Sequence, residues 1–211
     1  SVGGQYGNGE NPVAIAYRAK DNKNKSNLFF GNVYGEYDLL KGLTLRTSMG
    51  MKYENYNTVS YTYPNPEFTE GSFNNGMNEA SGINKEWTWT NTLNYKAVIN
   101  DDHNLNILLG TEAIENRYRQ ISARGNGYFT TSSLDYFYIN SASRDVFGNG
   151  EGTVGALFSI FGKVDYSYKD RYIFSGTVRR DGSSTFGPDN KYGVFPGVSA
   201  AWRLSEEEFL K

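Results

Sequence analysis

The chain has 211 residues, no Cys, one His, and 21 Lys+Arg against 23 Asp+Glu, a formal charge of -2. These counts exclude a disulfide framework, a Cys-based zinc site and a cysteine nucleophile, and a pI of about 5.5 argues against a nucleic-acid binder. The 17 Tyr, 13 Phe and 24 Gly favour β structure over disorder, and the absence of a long apolar run excludes a transmembrane helix but leaves a transmembrane β-barrel open.

Seven segments carry the apolar-polar alternation of strands. From 29 to 39, Phe29, Val33, Tyr37 and Leu39 oppose Asn32, Glu36 and Asp38. The clearest follows from Leu43 to Glu54, with Leu43, Leu45, Thr47, Met49, Met51 and Tyr53 on one face and Thr44, Arg46, Ser48, Gly50, Lys52 and Glu54 on the other. Residues 87–99 set Trp87, Trp89, Leu93, Tyr95, Ala97 and Ile99 against threonines, with Asn91 as an exception. Residues 105–116 alternate least well. Phe158 to Tyr168, Tyr172 to Arg179 and Val194 to Leu204 complete the set.

The connections differ in kind. Leu40-Lys41-Gly42, Asn100-Asp101-Asp102-His103 and Lys169-Asp170-Arg171 are tight polar turns, whereas residues 57–85 and 122–154 read as long loops, with a shorter one at 181–191. Short turns on one side and long loops on the other are the habit of outer-membrane barrels. Tyr37, Tyr95, Tyr166, Tyr168, Tyr172 and Trp202 lie near the short turns on the apolar face, where an interfacial aromatic girdle belongs. Seven strands cannot close in lipid, so the expected fold is all-β, an antiparallel segment of a larger transmembrane β-barrel. A soluble β-sandwich, serving as a carbohydrate-binding or adhesin-like module, is the alternative.

The last third carries linked blocks: Asp170-Arg171-Tyr172, Arg180-Asp181-Gly182-Ser183-Ser184, Phe186-Gly187, Asn190-Lys191-Tyr192-Gly193, Phe195-Pro196, Ala200-Ala201-Trp202-Arg203 and Ser205-Glu206-Glu207-Glu208-Phe209. This order resembles the barrel signature of SusC/RagA-type TonB-linked outer-membrane transporters. Upstream, Asn11-Pro12-Val13-Ala14, Lys41-Gly42-Leu43, residues 87–95 and Leu109-Gly110-Thr111-Glu112 resemble the preceding barrel blocks. The resemblance implies a plugged barrel of 22 strands, of which residues 1–211 form a piece of the wall. The plug domain and a signal peptide are expected to lie outside these residues. It also implies TonB-dependent import of a glycan oligomer or peptide across the cell outer membrane, with a SusD-like surface lipoprotein, the TonB complex and outer-membrane lipid as partners.

If the apolar faces meet lipid, Arg46, Lys52, Glu54, Glu112, Lys163, Asp165, Arg179 and Arg203 face the lumen, where they are expected to bond the plug. The loop aromatics Tyr128, Phe129, Tyr136, Phe137 and Tyr138 are the candidate substrate contacts, because flat rings stack on sugars or clasp peptide side chains. Tyr61, Tyr63, Phe68 and Phe73 form a second group in another loop. No enzyme, cofactor or metal site is expected: His103 reads as a solvated turn residue without a second ligand. Asp181, Ser183 and Ser184 read as turn chemistry.

Overall fold

Asn11 caps a short helix, α1 (Pro12–Arg18), its side chain accepting the backbone N–H of Val13 at 3.0 Å. Pro12 suits the first helical position because its missing N–H would be unpaired there anyway. The computed structural model describes residues 11–65 and 73–207, and Phe68 lies outside them. After α1 come β1 (Lys23–Leu40), β2 (Leu43–Thr62), β3 (Gly76–Ile99), β4 (His103–Asn126), β5 (Arg144–Tyr168), β6 (Tyr172–Ser183) and β7 (Tyr192–Trp202). They form one antiparallel sheet in sequence order. The described residues supply no second sheet to face it, which removes the β-sandwich alternative.

Turn chemistry makes the short side of this meander. Asn100 and Asp101 have φ of 52° and 58°, and Lys169 and Asp170 have 50° and 52°, the left-handed pair that tight hairpins favour. At Gly42, φ is +80° and the carbonyl of Lys96 sits where a side chain would be, so only glycine fits.

The strands outrun their sequence signal. β2 continues eight residues past Glu54 to Thr62, β3 begins at Gly76 rather than 87, β4 runs to Asn126, and β5 begins at Arg144 rather than Phe158. Much of the expected loop at 57–85 and 122–154 is therefore ladder, and the true connections are 63–75 and 127–143. Polar side chains occupy both faces in these extensions, which erases the period-2 apolar pattern while leaving backbone pairing intact. β1 to β5 have 18 to 25 residues, against about 9–11 needed to cross a bilayer. β6 and β7, at 12 and 11, are close to the length a crossing requires.

Close packing divides the chain into two units. One holds the described residues up to 28, with 54–84 and 118–153; the other holds 29–53, 85–117 and 154 onward. The first has a small hydrophobic core of Met77, Tyr128 and Phe137, with Val59, Tyr61, Leu134, Ile139 and Ala142 packed against it. In the second, Leu45, Met49, Met51, Trp89, Ile160, Val164, Phe174, Val178, Val198 and Trp202 are exposed. So large an apolar surface has no place in water and marks a membrane or partner contact.

Candidate functional site

The second unit separates its two faces sharply. On β5 and β6 the register sets Ser159 opposite Asp181, Phe161 opposite Arg179, and Asp165 opposite Ser175. These positions share a face, and it is polar. Arg179 Nη2 donates to Glu112 Oε1 and Ser159 Oγ, both at 2.8 Å, and Nε donates to Asp181 Oδ1 at 2.7 Å. The Phe161 ring lies 5.4 Å from the guanidinium and covers Gly110, where a Cβ would collide with it. Ser159 is fully buried. Glu112 also accepts from Thr90 Oγ1 at 3.3 Å, so the network reaches from β3 to β6.

The other expected lumen residues have separate surroundings. Asp165 accepts from Ser175 Oγ at 2.7 Å and Asn106 Nδ2 at 3.4 Å, with Lys163 Nζ at 2.9 Å. Arg46 pairs with Glu36 at 3.4 Å and stacks over Tyr34. Lys52 lines an open depression of about 360 Å³ with Phe30, Asn32, Glu86 and Thr88, floored by Gly50. Glu54, in the first unit, accepts from Ser26 Oγ at 2.9 Å. Arg203 stands just beyond β7, at the cap of a 3-10 turn (Leu204–Glu206).

The opposite face carries its own order. Trp89 Nε1 donates to Thr47 Oγ1 at 3.0 Å, Thr47 donates to Asn91 Oδ1 at 2.8 Å, and Asn91 Nδ2 reaches Thr111 Oγ1 at 3.5 Å. Asn91, the exception in the strand pattern, is thus the middle of a polar seam across β2, β3 and β4. Near the short turns, Tyr168 stacks on Tyr172 and Tyr172 on Trp202, with centroids 6.4 and 6.2 Å apart. Glu207, after β7, accepts from Trp202 Nε1 at 3.0 Å and Tyr172 Oη at 2.9 Å. Those two donors, with Arg171 beside them, hold its carboxyl below the usual range.

Two local readings change. His103 is a half-buried member of the aromatic belt, its Nδ1 2.7 Å from Tyr166 Oη and its ring 4.9 Å from Tyr168. Asp181 lies inside β6 as a partner of Arg179, because the strand runs past the residues that look like a turn. Ser184 does lie in a turn, just past β6, and its N–H donates to the Ala156 carbonyl of β5 at 2.8 Å.

In the first unit the loop aromatics split. Tyr128 and Phe137 are 4% and 3% exposed and stack at 4.3 Å; Tyr61 meets Phe137 edge-on at 5.4 Å. Asn75 pins this core, its Oδ1 accepting the N–H of Tyr128 and its Nδ2 donating to the Tyr128 carbonyl, both at 2.7 Å. Phe129, 79% exposed, packs edge-on with Tyr136 at 5.0 Å, and Tyr138 is exposed as well. Of the five expected contact rings, three are therefore exposed and two are buried. Phe73, in the other loop, is exposed too. No group of three or more His, Asp or Glu that could hold a metal ion occurs among the described residues, and none of their helices is long and apolar enough to cross a membrane.

No family profile matches the chain. Curated relatives do: it is 30% identical over 210 residues to TonB-dependent receptor P39 of Formosa agariphila, covering 95% of this chain and 19% of that protein. It is also 30% identical over 207 residues to the TonB-dependent receptor SusC of Bacteroides thetaiotaomicron, covering 96% and 19%. Among solved structures, the RagAB peptide importer in a closed-closed state superposes with a TM-score of 0.70 at 26% identity, over 92% of this chain and 22% of that one. A second RagAB peptide transporter structure, at 23% identity, shares the fold with a TM-score of 0.79. The chain thus spans about one fifth of the length of the curated relatives it matches.

Proposed function

Because this chain is related to the SusC/RagA-type TonB-dependent receptors over nearly its whole length, we propose that it forms barrel wall and outer loops of a TonB-dependent importer. Its cargo is a large nutrient, a glycan oligomer or a peptide, and its place is the cell outer membrane. A SusD-like surface lipoprotein and the TonB complex are the partners of the whole receptor in this reading, and the wall itself does no covalent chemistry. The observation that carries it is the two-faced sheet: an exposed apolar surface backed by a charged face whose groups bond one another. Such a wall belongs between lipid and a wet lumen, where charge costs little, whereas Arg or Lys facing lipid at mid-depth costs about 2–4 kcal/mol.

Arg46, Lys52, Glu54, Glu112, Lys163, Asp165, Arg179 and Arg203 serve this wall as plug-facing and lumen-facing groups. Arg179, Glu112 and Asp165 are already engaged within the wall and act first as its braces; Lys52, beside the open depression, has the most room for a plug contact. For cargo or lid contact the reading favours Phe129, Tyr136 and Tyr138, with Tyr128 and Phe137 holding the loop that presents them.

The test is growth of a strain lacking the full-length receptor gene on a panel of defined glycans and peptides as sole nutrient. Loss of growth on one nutrient, restored by the intact gene, is the expected result. Parental growth on every nutrient would reject the importer assignment.

A further inference from the structure

Arg180 stands on the apolar face of the second unit. Its register neighbours are Ile160 on β5 and Val194 on β7, and Phe174 and Val178 share that face of β6, all four of them exposed. The other residues that β6 and β7 place on this face are uncharged. A guanidinium set among exposed apolar side chains needs an anion or water, and hydrocarbon offers neither. No carboxylate among the described residues pairs with Arg180; its guanidinium lies over the Tyr192 ring, 4.1 Å from the ring centre. Tyr192 is in register with Gly182, two positions beyond Arg180, so the long side chain reaches along the sheet away from the short turns.

The Tyr192 ring also lines an open depression of about 330 Å³ on the same face. Trp87, Phe158 and Tyr192 surround it, while Ala113, Ala156 and Gly182 are small enough to leave the space. A Cβ at Gly182 would meet the Tyr192 ring. Rings around small residues make a hollow suited to a hydrocarbon chain. The charge at its edge is positive in balance. Glu115, the one carboxylate of the lining, is bonded by Arg117, which leaves Lys191 in the lining and Arg180 beside Tyr192 without an acidic partner among the described residues.

We propose that this face binds a membrane lipid with an anionic headgroup, an acyl chain lying in the depression and the headgroup phosphate meeting Arg180 and Lys191. The guanidinium fork matches two phosphate oxygens, and the ring beneath it fixes its direction. A free anion would leave the ring-lined hollow unused. The assignment rests on the outer-membrane reading of the wall, and the height agrees with it. Phe158, Gly182 and Tyr192 share one register line, two residues below the Ala156–Ser184 bond that closes the β5–β6 ladder, where chains give way to headgroups.

Native mass spectrometry of the purified full-length receptor in a neutral detergent tests it, with equal amounts of dioleoyl phosphatidylglycerol and dioleoyl phosphatidylcholine as probes and inorganic phosphate as competitor. The receptor retains about fivefold more of the anionic lipid than of the zwitterionic one, the preference one basic residue confers at a membrane surface. Arg180→Gln removes that preference and Arg180→Lys keeps part of it. Ala156→Leu, which fills the hollow, lowers retention of phosphatidylglycerol with the charges in place. Arg180 and Lys191 are exposed, so their variants fold, and Lys191→Gln, which lowers the preference, keeps the test open should Ala156→Leu fail to fold. Equal retention of the two lipids overturns the assignment, as does displacement of phosphatidylglycerol by equimolar inorganic phosphate. A preference untouched by Arg180→Gln discards this site alone, whereas a full-length receptor that stays dispersed without detergent discards the outer-membrane reading with it.

Discussion

Arg179 on β6 grips Glu112 on β4 across the strand that separates them, at 2.8 Å. The guanidinium lies over β5 and bonds the buried Ser159 on the way, so three strands are fastened at one point. Their coupling is measurable. In the full-length receptor, a double-mutant cycle of Arg179→Met and Glu112→Gln followed by urea unfolding should give a coupling of about 1 kcal/mol. The side chains are 38% and 23% exposed, which keeps the value below that of a fully buried pair. Additive effects would mean that the contact contributes nothing.

Asn91 and Thr47 form a hydrogen bond on the apolar face, where lipid offers no substitute partner. The two possible deletions should differ in cost. Thr47→Val leaves the Asn91 carbonyl without its donor and should destabilise by about 1–3 kcal/mol. Asn91→Leu leaves the Thr47 hydroxyl without its acceptor but keeps the Trp89 bond to Thr47, so it should cost less than Thr47→Val, which strips a partner from both Asn91 and Trp89. Unfolding of the two variants in lipid vesicles gives the order, and a reversed order would refute the seam.

Phe137 and Phe129 stand eight residues apart in one loop with opposite environments. Phe137→Ala should cost the loop about 3–5 kcal/mol of local stability and open residues 127–143 to protease while the strands stay protected. Phe129→Ala, with Tyr136→Ala and Tyr138→Ala, should leave the protease pattern unchanged and weaken cargo or lid binding. Limited proteolysis and a binding isotherm on the same variants separate the two roles.

The Tyr63 phenol is pushed up to about 12 by burial first and by its hydrogen bond to Asp21 second. Because its value is raised above the unfolded 10.0, the stabilisation is complete below pH 10.0 and is lost as pH rises through about 12. A phenolate absorbance titration, taken as the difference between the parent and Tyr63→Phe, should show this late step. Asp21→Asn should move it part of the way back toward 10.0, since burial remains. A difference spectrum centred on 10.0 in the parent would contradict the Tyr63–Asp21 bond.

Much of the sheet was legible because lipid imposes its own alternation. Leu43 to Tyr53 and Phe158 to Tyr168 repeat every second residue, and the strands lie there. Beyond them the pattern fails: Thr58 bonds Asn24 and Asn57 bonds Glu79 on opposite faces of β2. Both faces being polar, nothing in the composition separates strand from loop. That the charges share the polar face was readable from parity alone, but their partners were not, since Ser159 and Phe161 look like any small or aromatic strand residue. Among the loop rings, Tyr128 and Phe129 are neighbours with identical propensities. What separates them is Asn75, 53 residues away, which fixes the backbone of Tyr128 and turns its ring inward.

β5 outgrows β6. Its 25 residues pair with a strand of 12, and the ladder between them begins at Leu157 opposite Ser183 and ends at Tyr168 opposite Tyr172. From Arg144 to Gly155 the backbone of β5 has no β6 partner among the described residues, so its N–H and C=O groups on that side require water. In the importer reading, the unequal hairpin draws a waterline on the wall, with hydrocarbon reaching no higher here than the bond between Ala156 and Ser184. On that reading the length of one short strand, rather than any charged residue, sets how deep this part of the protein sits.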